Sequence, residues 1–206
     1  MPDLSEGRPA PEIRVVVVAG VAGSGKTTVG QALARRLAAQ TGAPWTFADA
    51  DDYHAPEALA QMAAGHGLSE ADRAPWLARL AGVVRAHLEA GPGLVLACSA
   101  LRAAHRDAVT GGDSRVAVVW LDAPAGVLTA RLAARLAAAP GEPGTNTVGP
   151  SLLPSQLATA EPPGADAIRL DATRPVADLA DEVTTVVLGT RPGAPSFLRS
   201  PPFPAP

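Results

Sequence analysis

The stretch Ile13-Arg-Val-Val-Val-Val-Ala-Gly20-Val-Ala-Gly-Ser-Gly25-Lys26-Thr27-Thr28 decides the fold. Its first part, residues 13–19, is dominated by β-branched side chains, as suits a strand buried on both faces. From Gly20 to Thr27 it matches G-x-x-x-x-G-K-S/T in full. Residues 26–40 then carry Val29, Leu33 and Leu37 at helical spacing, and Gly42 supplies a stop. Strand, glycine loop and helix in that order make a phosphate cradle. Glycine permits the backbone angles that turn successive N–H groups inward, and the positive helix end reinforces them. Gly20, Val21, Ala22, Gly23, Ser24, Gly25, Lys26, Thr27 and Thr28 are expected to surround the phosphates of ATP. Lys26 would reach the β- and γ-phosphates, and the Thr27 hydroxyl would ligate Mg²⁺.

Composition supports that reading. Of the 17 basic residues, Lys26 is the one lysine, so a bias toward arginine failed only inside the cradle. The same count removes the lysine-containing N/T-K-x-D motif that reads guanine, which argues against a GTPase. The 206-residue chain carries a net charge of -3, which suits neither a general nucleic-acid binder nor an anionic-membrane binder. One cysteine, Cys98, permits no intrachain disulfide, and residues 1–12 lack the apolar run of a secretory signal. The expected location is cytoplasmic. Cys98 itself is expected to be a small buried residue rather than a nucleophile.

Outward from the cradle, strands and helices alternate. Short strands are expected near 45–49, 93–98, 115–121 and 166–171. Helices are expected near 56–64, 73–90, 103–110, 124–138 and 175–188, with Trp76, Leu80, Val83, Val84 and Leu88 on one face of the second. This alternation predicts an α/β fold: five parallel strands with helices on both faces. Residues 1–12 read as a loose leader, 13–188 as the domain, 139–151 as a mobile glycine- and proline-rich loop inside a lid spanning about 136–152, and 189–206 as a disordered proline-rich tail.

The second strand ends in Phe47-Ala-Asp49-Ala-Asp51-Asp52-Tyr53-His54, at the strand ends where ligands bind such sheets. If the extension persists, Asp49 and Asp51 face one site, being two residues apart. Asp49 could then help hold the metal, and Asp51 could accept the proton of an attacking hydroxyl. The alternative is an acidic turn capping the next helix, with Asp52 or His54 near its start.

Together these segments resemble the gluconokinase family of P-loop sugar-acid kinases over roughly residues 13–188. The resemblance rests on GVAGSGKTT (20–28), FADADDYH (47–54), GHGLSEADRAPWL (65–77), ACSALRAAHRD (97–107), RLAAR (131–135) and SQLATAEPP (155–163). It implies phosphorylation of gluconate by ATP, with Mg²⁺ held near Thr27 and Asp49. It places Asp51, His54, Arg73, Ser99, Arg102 and Arg106 at the acceptor, where arginines suit a carboxylate. It makes Arg131 and Arg135 lid arginines that stabilise charge in transit together with Lys26, while Asp51 positions the nucleophile. It also implies that Arg174 and Pro175 belong to a loop around the adenine, and that the protein is a homodimer. The alternative for Arg73 and Arg106 is a surface ion pair with Asp72 or Asp107; for Arg131 and Arg135 it is a solvated helix face.

Several positions depart from the family pattern. Arg102 stands where a lysine is usual, His105 where a tyrosine is usual, and Ala58 and Gln61 where asparagine and lysine are usual. The longer loop 139–151 replaces a G-H-F segment. These departures keep two alternatives open: a P-loop kinase for another small acceptor such as shikimate, or a nucleotide-binding regulatory module.

Overall fold

The computed structural model describes residues 12–138, 150–164 and 167–189. Five strands form one parallel sheet: β1 (Val15–Ala19), β2 (Trp45–Asp49), β3 (Gly93–Ala97), β4 (Val116–Asp122) and β5 (Ile168–Asp171). Seven helices lie among the described residues: α1 (Lys26–Thr41), α2 (Pro56–Ala63), α3 (Glu70–Glu89), α4 (Ala103–Thr110), α5 (Ala125–Ala138), α6 (Leu153–Thr159) and α7 (Val176–Val187). The strand order is β2-β3-β1-β4-β5. In register, β1 pairs Val17 with Leu96 of β3 and with Val118 of β4. The central strand therefore has neighbours reached in opposite directions, and the crevice at its C-terminal end is where a ligand can enter.

The β-branched run is central because both its faces must be covered. Val15, Val17 and Ala19 pack with Trp76, Leu80 and Val84 of α3 and with Leu128 and Leu132 of α5. Val16 and Val18 point the other way, onto Val29, Leu33 and Leu37 of α1 and Leu179 and Val183 of α7. All five residues of β1 are 0 % exposed, so the period-two alternation of a strand divides one sequence run between two cores. The rest of the sheet follows the same logic, giving the expected three-layer α/β/α architecture.

Two elements differ from expectation. Helix α3 starts at Glu70, not near 73, because Ser69 and Asp72 form a reciprocal capping box: the Asp72 N–H donates to Ser69 Oγ at 3.2 Å and the Ser69 N–H to Asp72 Oδ2 at 2.9 Å. Pro75 thus lies inside the helix near its start. The chain after β2 does not stay extended; Ala50–Tyr53 form a 3-10 turn. A short helix, α6, follows the glycine-rich segment, which was expected to be flanked by helices although the sequence set no bounds for this one. The expected leader up to residue 11, the loop 139–149 and the tail beyond Gly189 lie outside the described residues. No described helix is long and apolar enough to cross a membrane.

Candidate active site

The loop between β1 and α1 turns the way its glycines require. Gly20 has φ 144° and Gly23 has φ 80°. A Cβ on Gly20 would lie 2.8 Å from the Leu121 carbonyl, and one on Gly23 would lie 2.9 Å from that of Leu128. Both positions therefore demand glycine for backbone angle and for space. The loop is closed by Lys26, whose Nζ donates to the Val21 carbonyl at 3.2 Å. Inside it, the buried Ser24 hydroxyl has no hydrogen-bond partner. A cradle with an unsatisfied donor and inward amides fits an anion.

A cleft of about 680 Å³ opens over this cradle. Its walls include Ala22 to Val29, Asp49, Asp51, His54, Arg73, Ser99, Arg131, Arg135 and Arg174. Most of the residues singled out in the sequence thus converge, from the β1–α1 loop and α1, the end of β2 and the turn after it, the β3–α4 loop, α3, α5 and the β5–α7 loop. Gly20, Val21 and Pro175 do not line it: the first two form the entry to the cradle, and Pro175 stands before α7.

The acid pair is brought together by a route other than the one the spacing suggested. Asp49 ends β2 and caps the 3-10 turn, its Oδ1 accepting the Asp51 N–H at 3.2 Å. Its other oxygen, Oδ2, accepts from the Thr27 hydroxyl at 2.8 Å. Asp51 reaches the cleft from within the turn. The turn is held from α3: the Trp76 indole N–H donates to the Ala50 carbonyl at 2.7 Å, and Arg79 donates to the Tyr53 carbonyl at 2.6 Å. Trp76 is therefore more than the packing residue its pattern suggested.

Charge in the cleft is concentrated. Burial and the nearby Asp49 raise the Asp51 pKa above the ordinary carboxylate value, while Lys26 opposes the rise. Burial lowers the Lys26 pKa, against the pull of Asp51 and Asp49. His54 stacks on Trp76 with ring centroids 4.5 Å apart, and its Nδ1 is buried without a partner. Burial, with Arg73 and Arg79 nearby, lowers its pKa to about 4, so it is neutral at pH 7. Cys98 is buried at the end of β3, and burial pushes its thiol up to about 12, which leaves it unreactive.

The three acceptor-side arginines separate. Arg73 lines the cleft. Arg102 stands outside it and pairs with Glu70 at 3.4 Å. Arg106 is 7 % exposed and turns into the core, donating to the Ala100 and Leu101 carbonyls and lying 5.5 Å from the Trp120 ring. The structure thus places it as a brace under the β3–α4 loop, where its guanidinium exchanges water for carbonyls and an aromatic face. Its expected alternative partner Asp107 is not involved, and Asp72 is engaged with Ser69. Ser99 remains at the cleft, with its carbonyl accepting from Gly20 N–H at 3.4 Å.

On the other wall, Arg131 and Arg135 are exposed on one face of α5 yet turned to the cleft. Arg131 donates to the Ala172 carbonyl at 2.8 Å. Arg174 is held by Glu182 at 2.7 Å. Of the departures from the family pattern, Ala58 and Gln61 lie on α2 away from the cleft, and Met62 of that helix lines it instead. His105 bonds Glu70 at 2.9 Å, beside Arg102. The sequence reading missed Gln156, whose Oε1 accepts the Ala22 N–H at 2.7 Å across 134 residues. No local spacing signals such a contact.

A parallel sheet with an inward-turned glycine loop, a lysine and paired carboxylates at its C-terminal edge defines a P-loop kinase. Residues 15–163 match a family model described as an AAA domain. The chain is 42% identical to a gluconokinase of Gluconobacter oxydans, over 74% of this chain and 78% of that one. Among solved structures it resembles a sugar kinase of Janibacter sp. HTCC2649, at 38% identity and TM-score 0.68, covering 84% of this chain and 93% of the other. It also resembles a gluconokinase of Sinorhizobium meliloti 1021, at 31% identity and TM-score 0.66, covering 89% and 94%. The chain belongs to the gluconokinase family.

Proposed function

We propose that this protein transfers the γ-phosphoryl group of ATP to the 6-hydroxyl of gluconate. The observation that carries the reading is one cleft in which the Lys26 cradle, the Asp51 carboxylate and Arg73 all converge. The cradle and Lys26 hold the phosphates. Asp51 accepts the proton of the attacking hydroxyl and orients it. Arg73 suits the carboxylate of a sugar acid, with Ser99 and His54 offering polar contacts beside it. Arg131 and Arg135 bring positive charge to the phosphates from the far wall, and Arg174 borders the nucleoside side.

Thr27 and Asp49 would hold Mg²⁺. Their oxygens lie 2.8 Å apart, and among the described residues no cluster of three or more histidine, cysteine or carboxylate groups could bind a metal by itself. A hydroxyl and one carboxylate, completed by phosphate oxygens and water, fit the hard, partly hydrated Mg²⁺ ion. Bound there, the ion would neutralise charge on the phosphate chain.

The test is ADP release with MgATP and a panel of gluconate, other sugar acids, shikimate and nucleoside monophosphates. Turnover confined to gluconate is expected. Turnover with another acceptor would move the specificity, and silence with all of them would leave a nucleotide-binding module. Two further readings have their own tests: sedimentation for a homodimer, and fractionation of cells for a cytoplasmic location.

A further inference from the structure

One donor of the phosphate cradle already has a partner. The Ala22 N–H, which the loop turns toward the cleft, donates to Gln156 Oε1 at 2.7 Å. Since the amide can only donate, the atom facing it must be the carboxamide oxygen. That oxygen marks a position an anionic oxygen would take.

The phosphate in question is the terminal one. Ala22 lies at the entry of the loop, where Gly20 N–H bonds Ser99 and Val21 accepts from Lys26. This end adjoins Ser99, which the proposed reading places beside the acceptor, and the Lys26 ammonium, which reaches the terminal phosphate in a P-loop, whereas Thr27 and Thr28 begin α1. The helix that carries Gln156 is anchored beyond its C-terminal end. Just after α6, Glu161 N–H donates to the Leu101 carbonyl at 2.8 Å, and the Glu161 carboxylate accepts from Ala103 N–H at 2.8 Å.

We propose that Gln156 is a neutral placeholder for the γ-phosphate, retained when ADP is bound and expelled when ATP is bound. Hydrogen bonds to ionised oxygens are roughly twice as strong as neutral ones, so a phosphate displaces the carboxamide. ADP has no group to do so. The residue thereby sets the preference between the two nucleotides. This rests on the P-loop kinase reading but not on the identity of the acceptor.

Calorimetric titration of the full chain with Mg²⁺ and either ADP or a non-hydrolysable ATP analogue tests it, without any acceptor. Gln156→Glu places a negative charge at the terminal-phosphate position. It is expected to weaken the analogue at least tenfold and change ADP less than twofold. Gln156→Ala removes the competitor and should tighten the analogue by the worth of one net hydrogen bond, roughly two- to tenfold, again sparing ADP. Equal changes for both nucleotides in the two variants would mean a structural role only and overturn the inference, as would no change in either. A wild-type chain that binds neither nucleotide overturns it together with the kinase reading. Gluconate turnover measured in parallel separates the readings, because a shifted nucleotide preference without gluconate turnover sustains this inference and sinks only the acceptor assignment.

Discussion

A carboxylate that accepts a proton must be ionised, and Asp51 sits where ionisation is costly. Burial and Asp49 raise its pKa, so the active form is lost as pH falls through a value above the ordinary carboxylate range. The acid limb of kcat/KM is expected there, and a pH profile checks it. Asp51→Asn should reduce turnover at least a hundredfold, the general-base contribution being about 10²–10⁴-fold. The same change should leave MgATP binding largely intact and raise the Tm at pH 7. The sign follows from linkage: an acid with a raised folded pKa binds more protons folded than unfolded, so it destabilises the fold as pH rises. An unchanged turnover in this variant would remove Asp51 from the mechanism. His54 has the opposite slope. Its folded pKa of about 4 lies below the ordinary imidazole value of 6.5, so its contribution to stability is present above 6.5 and lost as pH falls toward 4. His54→Phe, which keeps the stack on Trp76, should flatten the loss of Tm over that window.

At the scale of elements, helix α3 positions the acid turn. Its capping box sets where it begins, and one turn later Trp76 reaches across to the Ala50 carbonyl. Ser69→Ala should cost about 1 kcal/mol in a urea titration with little effect on the KM for ATP. Trp76→Phe keeps most of the buried ring but leaves the Ala50 carbonyl without its donor, at a cost of about 1–3 kcal/mol. Because Asp51 follows Ala50 directly, this variant should also lose kcat, which Ser69→Ala should not. Equal effects of the two on kcat would show that α3 acts only as a scaffold. Helix α5 contributes in another way: its buried Leu128 and Leu132 lock one face to the core, which leaves Arg131 and Arg135 presented on the other.

For the molecule as a whole, the cradle sits at the centre of the sheet, with its ends in β1 and α1. A nucleotide bound only to the folded state stabilises it by about 2.7 kcal/mol at a hundred times its Kd. MgATP should therefore raise the Tm of the wild-type chain. In Lys26→Met most of that rise should vanish, together with turnover, while the ligand-free Tm changes little or increases, since the ammonium is held in a desolvating site. A full MgATP-dependent shift in Lys26→Met would refute the assignment of the cradle.

What the chain's order of residues determined unaided is the part whose partners are near in sequence. The run Val15–Val18, the glycines at 20, 23 and 25, and Lys26 are covalently adjacent, so strand, turn and helix start follow from backbone sterics and hydrophobic periodicity. The alternation of apolar runs likewise made the parallel sheet legible, because a strand that is apolar on both faces has few other places to go. Tertiary structure decided which side chains meet. Asp49 and Asp51 share the cleft through a 3-10 turn held by Trp76, not through an extended strand. Arg73 and Arg106 look alike as arginines in Asp-Arg and Arg-Asp pairs, yet one lines the cleft and the other is buried against Trp120. Gln156 meets Ala22 across 134 residues. The direction of a long polar side chain depends on which desolvated carbonyls, rings and amides the packing places around it, and those neighbours come from distant segments that no local pattern contains.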